Sequence, residues 1–404
     1  MVEFAAQAGG FDFRTFSMPP AQDFRTRVAA ESVFIGVSIS VVPSEQYSIT
    51  LIGSGFGSFT GVGPIEGQVS RIAFAASPDS PYAHAGFTIQ GIAIDMAPYR
   101  IAMQMGTWQG LLQTLMSGSN QITGSPADDV LPAFGAMNSI DGGAGHNTVM
   151  LPFAVSQAHL LGWHGQYVAY DTVALHFDRM VNVQTLQFTD GTLAIGAAVA
   201  ARPLQYIASH ADLATALGAD AQAGFDHLAS TGLLEGRSVS FDGLAYVASH
   251  RDLVAAIGAD GEAGAAHYIV AGRAEGRGVD FDGLAYIASS PDLIAALPHD
   301  ADAGAAHYIR NGFQEGRAVT FDAAEYTASH ADLIQAFGTD ADLATRHYLD
   351  TGFAEGRNPA LFNAAQYLAN YADLRAAFGG DLHAAALHYV RSGYAEHRTD
   401  HPFG

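Results

Sequence analysis

The 404-residue chain contains no cysteine and no lysine. Without thiols it makes no disulfide, no thiolate nucleophile and no thiolate metal site. Without lysine it cannot build a phosphate loop ending in Gly-Lys-Ser/Thr. Charge is scarce, at 14% of residues, and unbalanced: 18 arginines face 40 acids, for a formal net charge of −22. Residues 1–200 carry 6 arginines against 14 acids, and residues 201–404 carry 12 against 26. Both halves therefore repel a phosphate backbone, and nucleic acid is not an expected partner. No apolar run approaches the roughly 20 residues that span a bilayer, so no transmembrane segment is expected. Residues 1–17 hold Glu3, Asp12 and Arg14 without a basic end followed by an apolar stretch, so no cleavable secretory signal is expected there. Apolar residues are plentiful at 49%, which excludes a wholly disordered chain. The length suits two or three domains.

The second half repeats itself. Tyr206, Tyr246, Tyr286 and Tyr326 stand 40 residues apart and Tyr367 follows after 41. The same step carries Asp212, Asp252, Asp292, Asp332 and Asp373, then His227, His267, His307, His347 and His388, then Gly232, Gly272, Gly312, Gly352 and Gly393. Glu235, Glu275, Glu315, Glu355 and Glu396 each precede an arginine by two positions, from Arg237 to Arg398. Five helical units result, starting near 203, 243, 283, 323 and 364. In the second, Asp242 is placed to cap a helix, and Phe241 with Tyr246 occupies the two positions of a hydrophobic staple. Ser290-Pro291-Asp292 opens a second short helix, with serine as its cap and proline in its first turn. A third opens near Asp260, Asp300 or Asp340 and is expected to stop at the glycine of 272, 312 or 352 in a left-handed conformation. Helices this short are marginal alone and must stack on neighbouring units. In the last unit Asn363 replaces the capping aspartate and His397 separates Glu396 from Arg398, as suits a terminal cap.

The first half reads as strands at 33–41, 47–52 and 86–89, with a short helix in 103–116 and a turn at Gly53-Ser-Gly-Phe-Gly57. Residues 124–150 then form three consecutive nine-residue units. The third, Gly142-Gly-Ala-Gly-His-Asn-Thr-Val-Met150, resembles the glycine-rich calcium-binding nonapeptide of the RTX proteins that bacterial type I systems secrete. That resemblance implies a parallel β-roll with an apolar residue at position eight, here Leu131, Ile140 and Val149, and a carboxylate at position six, here Asp129, Asn138 and Asn147. Alternate turns of such a roll share an edge, so Asp129 and Asn147 are the candidate pair for one Ca²⁺; a metal-free remnant of a roll is the alternative. The segment 167–193 looks like the strand-rich part that closes these rolls. The 40-residue unit, from Tyr-x-Ala-Ser-x-x-Asp-Leu to His-Tyr-x-x-x-Gly-x-x-Glu-Gly-Arg, is similar to arrays in large bacterial calcium-binding and surface proteins.

The expected fold is α+β and multidomain: a lead segment 1–30, a β-rich, β-roll-like domain 31–197, and an all-α array of five repeats over 203–404. Adjacent helical units lie about 10 Å apart, too far for neighbouring histidines of the 227–388 column to grip one ion. Those histidines are read as structural, bonding a carbonyl of the next unit, with a haem or metal carrier as the alternative. His210, His250 and His330 are read as surface residues, and the Glu-Gly-Arg arginines as a row of ion pairs between units. No Gly-x-Ser-x-Gly elbow or His-Glu-x-x-His helix occurs, and the nonapeptide register accounts for Asp129 in the Asp128-Asp129 pair. The expectation is a non-enzymatic, extracellular or surface-associated bacterial protein exported by a type I route. Its expected partners are other copies of itself, as a homo-oligomer, or cell-surface components. A hydrolase with its site in the β-domain is the remaining alternative.

Overall fold

The computed structural model describes residues 2–6, 24–29, 33–39, 46–60, 63–76, 87–95, 108–171, 173 and 176–403. The chain divides into two compact units: Met1–Ala201 with Phe225–Arg237, and Arg202–Gly224 with Ser238–Gly404.

The first unit is β-rich, as its alternating and β-branched segments require. Its strands are β1 (Val2–Ala6), β2 (Phe24–Ala29), β3 (Val33–Ile39), β4 (Gln46–Thr60), β5 (Gly63–Ala76) and β6 (Phe87–Asp95). Helix α1 (Trp108–Leu115) follows; residues 103–107 of the expected helix lie outside the described residues. Next come β7 (Ser119–Thr123), β8 (Val130–Pro132), β9 (Met137–Asp141), β10 (Thr148–Met150), β11 (His159–Trp163), β12 (Gln166–Asp171) and β13 (His176–Val181). The unit closes with β14 (Thr185–Gln187), β15 (Thr192–Ala194) and β16 (Val199–Ala200). Twelve strands form one sheet in the order β16-β11-β12-β13-β9-β7-β1-β6-β5-β4-β3-β2, and β15-β14-β10-β8 form a second.

Two sequence expectations change here. The glycines at 53–57 do not make a turn: they lie inside β4, where the register against β5 shifts between Ile52 and Gly53 and again between Ser54 and Gly57. Glycine there relaxes the strand at bulges without ending it. The segment 1–30 supplies β1, which sits between β6 and β7 and pairs parallel with β7 from Val2↔Asn120 to Ala5↔Thr123.

The nine-residue run alternates between the two sheets. Strand β7 pairs parallel with β9, and β8 with β10, so residues 18 apart stack on each other: Asn120 on Asn138 and Val130 on Thr148. The position-eight residues Leu131, Ile140 and Val149 are buried between the sheets with Ile122, Met180 and Leu186. That core is the hydrophobic contribution holding the two sheets together.

The helical unit consists of repeats of three short helices. Their first helices are Pro203–Ala208, Gly243–Ser249, Gly283–Ala288, Ala323–Ala328 and Ala364–Asn370. Capping follows the sequence: Asp242 accepts from Ala245 N–H, Asp282 from Ala285 N–H and Asn363 from Gln366 N–H. The staple rings meet, with Phe281 and Tyr286 centroids 5.6 Å apart. Ser290 stands at its predicted cap position, but its hydroxyl makes no cap bond. Each third helix ends in a π-helical turn, such as Tyr308–Gly312. The glycine of that turn is right-handed; Gly272 has φ −56°. The left-handed residue comes four positions later, at Gly276 (φ 69°), Gly316 (φ 70°) and Gly356 (φ 71°), which is the glycine of Glu-Gly-Arg. In the last repeat His397 takes that conformation, at φ 56°.

The first helices of the first four repeats also pack on the third helix of the following repeat. Ala385, Ala386 and Val390 of the last repeat cover Ala324 and Ala328 of the fourth, and Ala305 and Ile309 of the third cover Val247 and Ala248 of the second.

Candidate functional site

In the repeats, the recurring polar residues converge on the interior of each unit. Tyr246, Tyr286, Tyr326 and Tyr367 are fully buried, and their hydroxyls hydrogen-bond to Nδ1 of His267, His307, His347 and His388 at 2.9–3.0 Å. The expected carbonyl of the next unit is not the partner; the bond closes the first helix onto the third within one repeat. Burial pushes the Tyr286 and Tyr326 phenols up to about 12. The tyrosine hydroxyl also explains the glycine column, because a Cβ at Gly312 would lie 2.0 Å from Tyr286 Oη.

The arginines close the same units from outside. Arg317 Nε donates to Glu315 at 2.5 Å while its terminal nitrogens reach both oxygens of Asp292 at 3.0 and 2.8 Å. Arg277, Arg357 and Arg398 repeat this with Asp252, Asp332 and Asp373. These ion pairs lie within a repeat, not between repeats as the sequence suggested. The guanidinium beside each of these four aspartates holds its carboxyl below the ordinary range. His210, His250 and His330 are only partly buried, and their Nε2 atoms bond the carbonyls of Ser238, Gly278 and Asn358 at 3.0–3.1 Å. In the last repeat Tyr371 Oη replaces them, accepting from Thr399 N–H.

In the nine-residue run Asp129 and Asn147 do meet at one edge, but through a direct bond: Asn147 Oδ1 accepts from Asp129 N–H at 3.0 Å. The Asp129 carboxylate accepts from Ser125 N–H, and Asn147 Nδ2 donates to the carbonyls of Ala144 and Asn182. Amide protons thus take carbonyl oxygens that a Ca²⁺ would need as ligands, and one carboxylate is left to balance a divalent charge. As arranged, this donor set does not fit a Ca²⁺ shared by Asp129 and Asn147. Asp128 accepts from His146 N–H at 2.7 Å.

The opposite edge carries a polar seam, of which the nonapeptide register had marked only Asn138. Asn120 Nδ2 donates to Asn138 Oδ1 and Asn138 Nδ2 to Asp178 Oδ1, each at 2.6 Å. The other oxygen of Asp178 lies 2.7 Å from His176 Nε2. Asp178 is fully buried, and that burial pushes its carboxyl above the ordinary range against the pull of His176 and Asn138. The signal was present in the strand His176-Phe-Asp178-Arg-Met180: alternation puts His176 and Asp178 on the face of the core residue Met180.

The site chemistry therefore defines a β-sheet body joined in sequence to a helical repeat array, with its recurring polar groups engaged internally. No family model matches the chain, and no curated protein is similar to it. No helix among the described residues is long and apolar enough to cross a membrane.

Proposed function

We propose that the protein is a non-enzymatic assembly protein, extracellular or surface-associated, and that the open face of its last repeat receives a second copy of the same chain. The observation that carries this reading is a difference between equivalent residues. Ala248, Ala288 and Ala328 are 6%, 6% and 7% exposed under the next third helix, whereas their counterpart Ala369 is exposed, as is Ala365 one turn before it. Leu361 (57% exposed) and Leu382 (51%) border the same hollow as Ala365. The face continues a seam that recurs along the chain, so its shape suits a repeat of this kind.

Every third helix of a copy already has a cover. In the first repeat Phe225 and Ala229 pack on Val168 and Phe177 of the sheet, and the later third helices pack on the preceding repeat. Among the described residues a copy thus has no spare third helix to offer, and the arrangement proposed is two equal last-repeat faces meeting about a two-fold axis. Sedimentation velocity is expected to show a monomer–dimer equilibrium that Ala365→Arg with Ala369→Arg abolishes at an unchanged melting temperature. A monomer at every concentration, or dimers indifferent to both arginines, would contradict the reading.

The likeness of the third nonapeptide to RTX repeats supports the extracellular placement and a type I route. Calcium has no part in the reading, because Asn147 donates protons where the cation needs oxygens. Calorimetric titration of Ca²⁺ into the wild type and Asp129→Ala is expected to give the same dilution heats. Stoichiometric binding lost in Asp129→Ala would reverse that conclusion. A hydrolase reading finds its best acid–base pair in His176 and Asp178, but both are buried, 5% and 0% exposed.

A further inference from the structure

On the outer face of the twelve-stranded sheet, β7, β9, β12 and β13 form the floor of a hollow of about 460 Å³. Two rows of side chains cross it. Gln121 pairs with Ser139 and Ser139 with Arg179; one step along, Thr123 pairs with Asp141, Asp141 with Val181 and Val181 with Gln166. The alternation of β7 and β9, exposed and buried in turn, sends Gln121, Thr123, Ser139 and Asp141 outward and Ile122 and Ile140 into the core.

Each charge in the hollow already has a partner. Arg179 is paired with Asp226, and Asp141 Oδ1 accepts from Gly143 N–H at 2.9 Å and from Asn182 Nδ2 at 2.8 Å. Gln121, Thr123 and Ser139, by contrast, make no side-chain hydrogen bond among the described residues. They offer an amide and two hydroxyls, groups that both donate and accept, on strands about 4.8 Å apart.

We infer that this hollow binds a neutral, hydroxyl-rich chain, an oligosaccharide. An anion would have to compete with Asp226 for Arg179, and a cation would meet a single carboxylate, Asp141, whose Oδ1 already accepts two hydrogen bonds. An apolar ligand would strand three polar side chains without water or partner. Sugar hydroxyls, which donate and accept like the side chains they would meet, satisfy the row without disturbing either charge. The inference does not depend on dimerisation through the last repeat, because all the residues it uses lie in the β-rich unit.

The test is calorimetric titration of the full chain with cellohexaose, maltohexaose and laminarihexaose, with a heparin hexasaccharide as the ionic comparator. At least one neutral oligomer is expected to bind, with an affinity unchanged on raising NaCl to about 0.5 M. Gln121→Ala with Ser139→Ala is expected to weaken that binding about tenfold or more while leaving the melting temperature in place. Failure of all three neutral oligomers, binding of heparin alone, or equal binding by the double variant would each overturn the inference.

Discussion

Gly312→Ala is expected to destabilise the array by about 3 kcal/mol, the upper part of the range for overpacking a closed core. The new methyl would fall 2.0 Å from Tyr286 Oη and 3.0 Å from Cζ, with Tyr286 fully buried and bonded to His307. Neither ring can retreat without opening the first helix from the third. Tyr286→Phe removes the obstructing oxygen but also the partner of His307, and alone should cost about 1–2 kcal/mol. Combined, the two changes should cost less than their sum by at least about 1 kcal/mol, because the phenylalanine makes room for the methyl. Urea unfolding of the four proteins measures this directly. Simple additivity would mean that the hydroxyl is not what requires glycine at this position.

Asp178→Ala should be of similar or larger effect, about 3–5 kcal/mol, since it leaves His176 and Asn138 facing a vacated acceptor in a dry seam. Asp178→Asn keeps the shape and removes the titration, so its comparison with the wild type isolates the proton. Burial raises the Asp178 carboxyl above its unfolded value, so the folded protein holds that proton more tightly. The resulting stability is complete below about pH 4 and is lost as pH rises through the raised value. The wild type should therefore lose stability relative to Asp178→Asn as pH climbs above about 4. Urea unfolding across a pH series reads the slope, and a gain with rising pH would show that pairing of ionised Asp178 with His176 outweighs its burial.

The repeats were legible because each unit obeys the same local rules. Capping aspartates, the Phe–Tyr staple and the 40-residue step are all written within a few residues of one another or recur in register. What the columns do was not legible. Tyr286 and His307 stand 21 residues apart, and Arg317 and Asp292 stand 25 apart, so their meeting depends on how the third helix folds back. Period alone cannot separate a bond within a unit from one between units. The glycines show the same limit: spacing located Gly272 and Gly276 equally well, but only the backbone reveals which is left-handed and which is crowded. In the sheet, the apolar position eight was readable as period, while the insertion of β1 beside β7 joins segments more than a hundred residues apart and leaves no local trace. Asp178 was hidden for another reason: polar residues in a strand are first read as its wet face, and the phase set by Met180 had to be weighed against their charge.

In the second to fifth repeats the recurring imidazoles and guanidiniums bond within their own repeat, a structural role that the proposed function takes over as its central claim for the array. Nitrogen-15 NMR of the histidine rings during titration with Zn²⁺, and separately with haem, tests it at the atoms concerned. The signals of His267, His307, His347 and His388 should stay in place at stoichiometric additions, each kept by its tyrosine. A saturable shift of those four signals together would contradict the claim and make the array a carrier.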